Sequence, residues 1–282
     1  MAASRRRELR LPREVAAALG RSAVAAIERG SYTFGAAGSV DGVDWRDAVR
    51  TACGAKVSLP PAAPLPAPGS RRCARTRIQV RNETTLAAAR PLAAAGLKPL
   101  ALNFANGIHP GGGFLHGARA QEEALCRSSA LYATLVGDEM YAAHRQRSRP
   151  DSTDWAIYSP DVPVFRTDDG TELEQPWLLS VVTCAAPYAP TVGQPESGDL
   201  LQRRIHRLLA IARAFGHPVL VLGAWGCGDF GNDPHRTARD FRQAFESEFD
   251  GAFSEVVFAI IDWSPERKTL GPFRDAFAAT DK

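Results

Sequence analysis

The stretch Lys98–Gly113, KPLALNFANGIHPGGG, is the most informative part of the chain, because it joins a short apolar strand to a loop rich in glycine. A second stretch repeats this order. Pro218–Leu222 (PVLVL) is typical of a buried strand, and Gly223–Asn232 (GAWGCGDFGN) is the glycine loop that follows it. Ligands of open α/β sheets bind beyond the carboxyl ends of the strands. The two loops are therefore the predicted position of a functional site.

Strands and helices alternate along the chain on both sides of these loops. The predicted strands are Thr76–Val80, Lys98–Asn103, Trp177–Thr183, Pro218–Leu222 and Glu255–Ile261. The predicted helices are Thr84–Ala95, Gln121–Val136, Asp199–Phe215 and Pro234–Phe249. This alternation predicts an α/β domain with helices on both faces of its sheet.

A proline-rich stretch separates this domain from the start of the chain. Leu59–Ser70, LPPAAPLPAPGS, contains five prolines in twelve residues, and proline removes donors that helices and central strands need. We expect residues 59–75 to form an extended connector. Before it, Pro12–Arg29 and about Asp44–Cys53 have helical patterns. The predicted organisation is a helical accessory segment over 1–58 and a main domain over 76–282.

The composition limits the compartment and the partners. Of the 282 residues, 45% are hydrophobic and 23% are charged, which excludes a wholly disordered chain. The net charge of +3 favours neither bulk nucleic acid nor a membrane surface, and no apolar run approaches the roughly 18 residues of a membrane span. The five cysteines are scattered, as is typical of a reducing compartment. We expect a cytoplasmic protein that binds neither membranes nor specific nucleic-acid sequences.

The glycine loops point to an anionic ligand. Glycine adopts positive φ and lets the backbone approach a ligand closely, and successive exposed N–H groups form a concave site for anions. Two such loops, each leading to a helix, suit a diphosphate held from both sides. The alternative is that both are plain flexible turns.

A pair of carboxylates follows the first loop. Gln121-Glu122-Glu123 comes after Gly113 and seven further residues, at the predicted start of a helix. Acidic residues there can simply interact with the helix dipole. Beside a phosphate-binding loop, a carboxyl group can instead protonate the leaving oxygen of a bound sugar and then activate water. Adjacent side chains point in different directions, so one glutamate is expected to transfer the proton and the other to hold the substrate.

These motifs resemble those of a known family. Gly111–Gly113, seven residues and then QEE are similar to the signature of poly(ADP-ribose) glycohydrolases of the bacterial type. Asn103–Asn106 (NFAN) resembles a motif of macrodomains, the ADP-ribose-binding fold of these enzymes, and Gly226–Asn232 (GCGDFGN) resembles the second phosphate loop of that fold. The resemblance runs from about Thr76 to Phe273. It implies a macrodomain-like three-layer α/β/α fold with a mixed central sheet, plus a small helical accessory segment.

The resemblance also implies a reaction. The enzyme would cleave the O-glycosidic bond between ADP-ribose units, mainly from the chain end, and release ADP-ribose without a metal or cofactor. Glu123 would be the catalytic acid and base, and Glu122 would hydrogen-bond ribose hydroxyls. The expected partners are poly(ADP-ribose), ADP-ribose and ADP-ribosylated proteins.

The same resemblance implies the substrate contacts. The residues expected to bind substrate are Asn106, Gly111, Gly112, Gly113, Gln121, Gly226, Cys227, Gly228, Asp229, Phe230, Gly231 and Asn232. The triglycine would support the diphosphate, and Asn106 would bind the ribose next to the cleaved bond. The backbone of the second loop would close over the diphosphate, with Phe230 packed on the sugar or the base. Gln121 is expected on the adenosine side.

Several alternatives remain at this stage. A binding module without turnover is disfavoured because such macrodomains lack the QEE pair. A hydrolase for mono-ADP-ribosyl bonds could use the same pocket. Cys227 could be a nucleophile but has no indicated His or Asn partner, and a zinc site at His109 and His116 lacks further ligands. Trp225 is interpreted as a core residue.

Overall fold

The computed structural model describes residues 9, 11–35, 41–69 and 73–278. The strands are β1 (Ser31–Phe34), β2 (Asp41–Asp44), β3 (Val57–Leu59), β4 (Arg77–Arg81), β5 (Pro99–Ala105), β6 (Ala156–Arg166), β7 (Glu172–Ala185), β8 (Val219–Leu222) and β9 (Glu255–Ala259). The helices are α1 (Arg13–Arg29), α2 (Arg46–Ala55), α3 (Thr85–Ala94), α4 (Gln121–Ser128), α5 (Leu131–Leu135), α6 (Glu139–Arg145), α7 (Ala189–Val192), α8 (Glu196–Ala214), α9 (Pro234–Glu246) and α10 (Leu270–Ala276). A 3₁₀ turn covers Phe114–His116.

A seven-stranded mixed sheet forms the centre of the molecule. Its strand order is β3-β6-β7-β5-β8-β9-β4. The pairs from β7 to β4 are parallel, whereas β6 is antiparallel to both of its neighbours. The carboxyl ends of β5 and β8 therefore lie side by side, and ligands of such folds bind beyond the carboxyl ends of the strands. Strands β1 and β2 form a separate antiparallel pair.

Alternate side chains of the central strands face two different helical layers. In β5, Leu100 and Leu102 belong to one buried cluster and Ala101 to the other; in β9, Phe258 and Val257 divide in the same way. This is the two-residue period of a sheet covered on both faces. One cluster includes buried side chains of α8, α9 and α10, and the other includes those of α1 to α6. The predicted three-layer α/β/α arrangement with a mixed sheet is confirmed.

The predicted helix Gln121–Val136 is wrong, because the chain forms two helices there. Ser129 adopts an extended conformation between α4 and α5, with φ −146°, and makes a β-bridge to Val164 of β6. Its hydroxyl donates to the Leu125 carbonyl and accepts from the Leu131 N–H. A serine that bonds to nearby backbone groups competes with helix continuation, and here the bridge to β6 fixes the break.

The N-terminal segment joins the main sheet rather than standing apart from it. The segment contains α1 and α2 as predicted, but also β1, β2 and β3. β3 pairs with β6 at the edge of the central sheet, so the expected boundary at residue 58 falls inside a strand. Residues 60–69, the described part of the proline-rich stretch after β3, form neither helix nor strand, and Arg207 of α8 donates to the Pro60 and Ala63 carbonyls. Among the described helices, none has the length and apolar character needed to cross a membrane.

Candidate active site

The two glycine loops lie next to each other. Asn106–Gly113, called the first loop below, follows β5, and Gly223–Asn232, called the second loop, follows β8. Because β5 and β8 are neighbouring parallel strands, both loops leave the sheet at the carboxyl ends of these strands, on the same side. The structure thus brings together the two motifs that are more than one hundred residues apart in the sequence.

The triglycine is shaped by close contact with both glutamates. Gly111 and Gly112 have positive φ values of 71° and 57°, a region that side-chain-bearing residues rarely adopt. A Cβ atom on Gly112 would fall on Oε1 of Glu123 and lie 3.0 Å from Oε2 of Glu122. Glycine is therefore needed at residue 112 because of both its backbone conformation and the space that the two carboxyl groups occupy.

Glu122 is a buried carboxyl group held by the protein itself. Its side chain is only 2% exposed. Its Oε2 accepts the backbone N–H of Asn106 at 2.7 Å, and its Oε1 accepts the side-chain amide of Asn103 at 3.3 Å. Burial raises the pKa of Glu122 from 4.5 to about 8; the Asn106 N–H opposes this shift, and the charge of Glu123 adds to it. Glu122 of α4 thus connects the first loop to β5 through these hydrogen bonds. Its expected contact with ribose hydroxyls stays a prediction.

The raised pKa of Glu122 predicts a pH dependence of stability. Between about pH 4.5 and pH 8 the unfolded chain has lost this proton while the folded chain keeps it, so stability falls as pH rises through this window. We expect Glu122→Gln to reduce that fall, because glutamine remains neutral and still accepts the Asn106 N–H. Urea unfolding at pH 5 and pH 8 measures the difference. Glu174→Gln, at an exposed residue, is the control. If the free energy of unfolding falls equally between pH 5 and pH 8 in wild type and in both variants, the prediction is contradicted.

Glu123 has one carboxyl oxygen engaged and one free. Oε1 accepts the backbone N–H of Gly113 at 3.0 Å. Oε2 is buried and has no hydrogen-bond partner among the described residues, although the side chain as a whole is 8% exposed. A buried polar atom without a partner typically costs about 1–3 kcal/mol. This oxygen is thus suited to interact with a group that enters the first loop.

Asn106 and Gln121 are both tied into the framework. Asn106 Oδ1 accepts the N–H groups of Ile108 and His109, each at 3.0 Å, which leaves its Nδ2 as the group that can bind a ligand. Gln121 Oε1 accepts the N–H of Phe104 at 2.9 Å, and its Nε2 donates to backbone and hydroxyl oxygens. Gln121 therefore joins α4 to β5, and its expected adenosine contact stays a prediction.

The second loop presents a row of N–H groups. Gly226 and Gly231 have positive φ values of 74° and 66°. They lie at the two ends of the turn formed by residues 227–230. In the described part of the chain, the N–H groups of Gly228, Asp229 and Phe230 have no assigned acceptor. Such a run of N–H groups favours an anion. The Cys227 N–H is instead bonded to the Ala224 carbonyl.

Side chains at the end of the second loop hold its shape. Asn232 is only 3% exposed, and its Nδ2 donates to the carbonyls of Pro187 and Gly226 at 2.9 and 3.1 Å. Its predicted contribution to substrate binding would therefore act through the shape of the loop. The ring of Phe230 packs edge-on against Tyr188, with ring centroids 5.9 Å apart.

Comparisons with known proteins place the chain in a family. The family model for the catalytic domain of microbial-type PARG, poly(ADP-ribose) glycohydrolase, matches residues 20–167, just over half of the chain. This chain belongs to that family. A comparison with curated proteins finds no match.

Solved structures of poly(ADP-ribose) glycohydrolases share the fold over most of the chain. The enzyme from Thermomonospora curvata is 42% identical with a TM-score of 0.87, covering 93% of this chain and 99% of that chain. Its structure bound to the inhibitor ADP-HPD gives 40% identity and a TM-score of 0.83, with the same 93% and 99% coverage. The Deinococcus radiodurans enzyme in complex with ADP-ribose is 38% identical with a TM-score of 0.72, covering 81% of this chain and 96% of that chain. The protein is a poly(ADP-ribose) glycohydrolase, a glycosidase, as predicted.

A cleft beside the loops of the enzyme extends the site. Its volume is about 340 Å³, and its walls include Gln121 and Gly228 but neither of the two glutamates. It therefore lies to one side of the predicted reaction centre. Phe104 and Ile260 also line it, and the sequence analysis did not single them out. Phe104 could have been found inside the NFAN motif, whereas Ile260 reaches the cleft because it follows β9, which lies between β8 and β4.

Two alternatives, a Cys227 nucleophile and a zinc site, find no support among the described residues. Burial raises the pKa of the Cys227 thiol to about 12, and this thiol donates to the Trp225 carbonyl, so it is a poor source of thiolate. Within the described residues, no group of three or more His, Cys, Asp or Glu side chains could hold a metal ion. Trp225 is fully buried in the core, as predicted.

Proposed function

We propose that Glu123 is the general acid and base that cleaves the glycosidic bond between ADP-ribose units. The observation that supports this is the asymmetry of its carboxyl group. Oε1 is anchored by the Gly113 N–H and lies against Gly112, while Oε2 is buried and has no hydrogen-bond partner among the described residues. A fixed carboxyl group with one free oxygen at a sugar-binding loop can both donate and remove a proton.

The proposed reaction has two proton transfers. Protonated Glu123 donates to the 2′-oxygen that departs with the shortened polymer, and the resulting carboxylate then removes a proton from the attacking water. One such acid–base group typically accounts for about 10²–10⁴-fold in rate. Positive charge on the ribose would be stabilised by the negative diphosphate. Glu122, the better buried of the two carboxyl groups, would keep the first loop in place beneath that ribose.

The two loops are proposed to bind the diphosphate from opposite sides. The N–H groups of Gly228, Asp229 and Phe230 have no acceptor among the described residues, and the first loop, which contains the triglycine, follows the neighbouring parallel strand. The remaining Asn106 Nδ2 is proposed to bind the ribose at the cleaved bond. ADP-ribose as ligand is supported by the relatives, since the Deinococcus radiodurans structure is in complex with ADP-ribose.

Cleavage is proposed to proceed mainly from the chain end. Helix α1 packs on the segment that follows the triglycine, where Arg13 donates to the His116 carbonyl at 3.0 Å. A Cβ atom on Gly117 would fall on the backbone oxygen of Arg13, so no gap separates helix and loop. This wall would restrict a polymer that continues past the terminal ribose. Polymer attached to proteins is the proposed natural substrate, and the cytoplasm is the proposed compartment, which the free, scattered cysteines favour.

Parallel digestion of defined poly(ADP-ribose) and of mono-ADP-ribosylated protein tests the proposed function. We expect ADP-ribose to be released from the polymer as the main product, with the mono-ADP-ribosyl bond left intact. Release from both substrates would extend the activity to mono-ADP-ribosyl bonds. A product profile dominated by oligomers would overturn the proposed cleavage from the chain end, and binding of the polymer without any release would overturn catalysis.

A further inference from the structure

The turn that carries Asn106 is held by two side chains at the end of α6. The carbonyl of Gly107 lies 3.0 Å from Nδ1 of His144, and the carbonyl of Ile108 accepts from Arg145 at 2.8 Å. On its other side, the turn is closed by Asn106 Oδ1, which accepts two backbone N–H groups of the same turn. Consecutive carbonyls are thus bound by consecutive side chains from outside the loop.

The partners of His144 define its protonation state. Its Nε2 accepts the backbone N–H of Thr153 at 3.1 Å, and an amide N–H can only donate. Nε2 therefore carries no proton, and Nδ1 must carry the one that is donated to the Gly107 carbonyl. His144 is only 4% exposed. Burial lowers its pKa, and the charges of Arg204 and Arg147 act in the same direction while Asp151 opposes them, which favours this neutral form.

The turn packs directly on the segment that holds the histidine. A Cβ atom on Gly107 would fall on Oγ of Ser152 and lie 3.3 Å from Nδ1 of His144. Ser152 itself has φ +54°, which is rare for a residue with a side chain. The close contact leaves the turn little freedom to move away from His144.

The same segment reaches the second loop. The Pro150 carbonyl accepts the N–H of Tyr188 at 3.0 Å, and the next residue, Ala189, donates to the Phe230 carbonyl at 2.9 Å. Arg204, fully buried, donates to the carbonyls of both Asp151 and Ala185. Residues 150–153 are therefore bonded to the first loop through His144 and to the second loop through residues 188 and 189.

We infer that His144 is a positioning residue, which through the Gly107 carbonyl aims Asn106 at the ribose and keeps the first loop in register with the second. This inference rests on the proposed role of the Asn106 turn in binding substrate. His144 has no expected contact with the substrate or the reacting atoms. Its loss should therefore weaken binding of the ribose and diphosphate more than it slows the proton transfers.

Three substitutions at His144 separate its hydrogen bond to the Gly107 carbonyl from its contacts with the N–H and hydroxyl groups of Thr153. In His144→Asn the amide can still donate to the Gly107 carbonyl, whereas His144→Gln keeps only an acceptor for the Thr153 N–H, and His144→Ala keeps neither. For the Gln and Ala variants we expect about a tenfold rise in KM for the polymer and in the Kd of ADP-ribose, as for one lost hydrogen bond. Their kcat should stay within about threefold of wild type. The Asn variant should retain nearly wild-type KM and Kd.

His217 provides a matched control. It is also buried, and its ring contacts the Lys98 carbonyl through Nδ1 and the Tyr158 hydroxyl through Nε2, but it lies at the opposite end of β5. We expect His217→Ala to lower Tm without changing KM or Kd. If KM and Kd of all His144 variants instead follow Tm, or equal those of wild type, the positioning role is overturned. Because wild type must release ADP-ribose in the same assay, that result would leave the proposed function intact.

Discussion

Glu123→Gln is expected to lower kcat on poly(ADP-ribose) by about 10²–10⁴-fold while the Kd of ADP-ribose stays nearly unchanged. Glutamine has the shape of glutamate, and its Oε1 can still accept the Gly113 N–H that anchors the native side chain. Its amide cannot donate a proton to a leaving oxygen or remove one from water. The change therefore deletes the proton transfer and preserves the pocket. Steady-state kinetics on defined polymer and calorimetric titration with ADP-ribose measure the two effects.

The same exchange at Glu174, an exposed residue of β7, is the control for this substitution and should leave both constants at wild-type values. If Glu123→Gln cleaves the polymer at a near-normal rate, another group is the acid and base. If it loses turnover and ADP-ribose binding together, Glu123 acts mainly by holding Gly113, and the proposed proton transfers lose their support.

Gly112→Ala is expected to have an effect of similar size for a steric reason. The new Cβ would fall on Oε1 of Glu123 and close to Oε2 of Glu122, and the residue would have to keep φ at 57°, which costs about 1–2 kcal/mol for a residue with a side chain. The loop or the carboxyl groups must move to relieve this contact. Displacement of a catalytic group by about 1 Å can cost roughly 100-fold in rate. We expect at least that loss in kcat/KM on the polymer.

Gly54→Ala is the matched control, since it adds the same methyl group in α2, where a Cβ meets nothing within 4 Å. Activity should be unchanged, and stability should rise by up to about 1 kcal/mol because alanine favours a helix. If Gly112→Ala retains wild-type activity with an unchanged Tm, the triglycine is more adaptable than its contacts with Glu122 and Glu123 indicate.

The sequence predicted the elements whose signals are local. Strands β5, β8 and β9 could be predicted because continuous apolar runs are typical of strands buried on both faces. The glycine loops could be predicted because clustered glycines are typical of backbone that adopts positive φ and approaches a ligand closely. The different directions of the adjacent Glu122 and Glu123 side chains could also be predicted, because neighbouring helical side chains point apart. In the structure Glu122 faces Asn103 and Asn106, whereas Glu123 faces Gly113.

Features that depend on long-range pairing were not predicted. The break at Ser129 arises from its bridge to Val164, and the short strand β3 exists because β6 lies beside it. Neither partner can be identified from local propensity, because strand preference depends strongly on context. The same holds for the proposed positioning role of His144, which depends on its contact with the Gly107 carbonyl, because no spacing rule connects these two residues.

The pairing of β3 with β6 has a consequence for how the protein can be shortened. A chain that begins after the proline-rich stretch would leave the backbone groups of one side of β6 without their partner, and an uncovered strand edge invites association with other chains. It would also lack α1, which covers the segment behind the triglycine. The described N-terminal elements α1 and β3 thus pack on the catalytic core, and a chain trimmed to the residues after the proline-rich stretch is expected to aggregate more readily than the full chain.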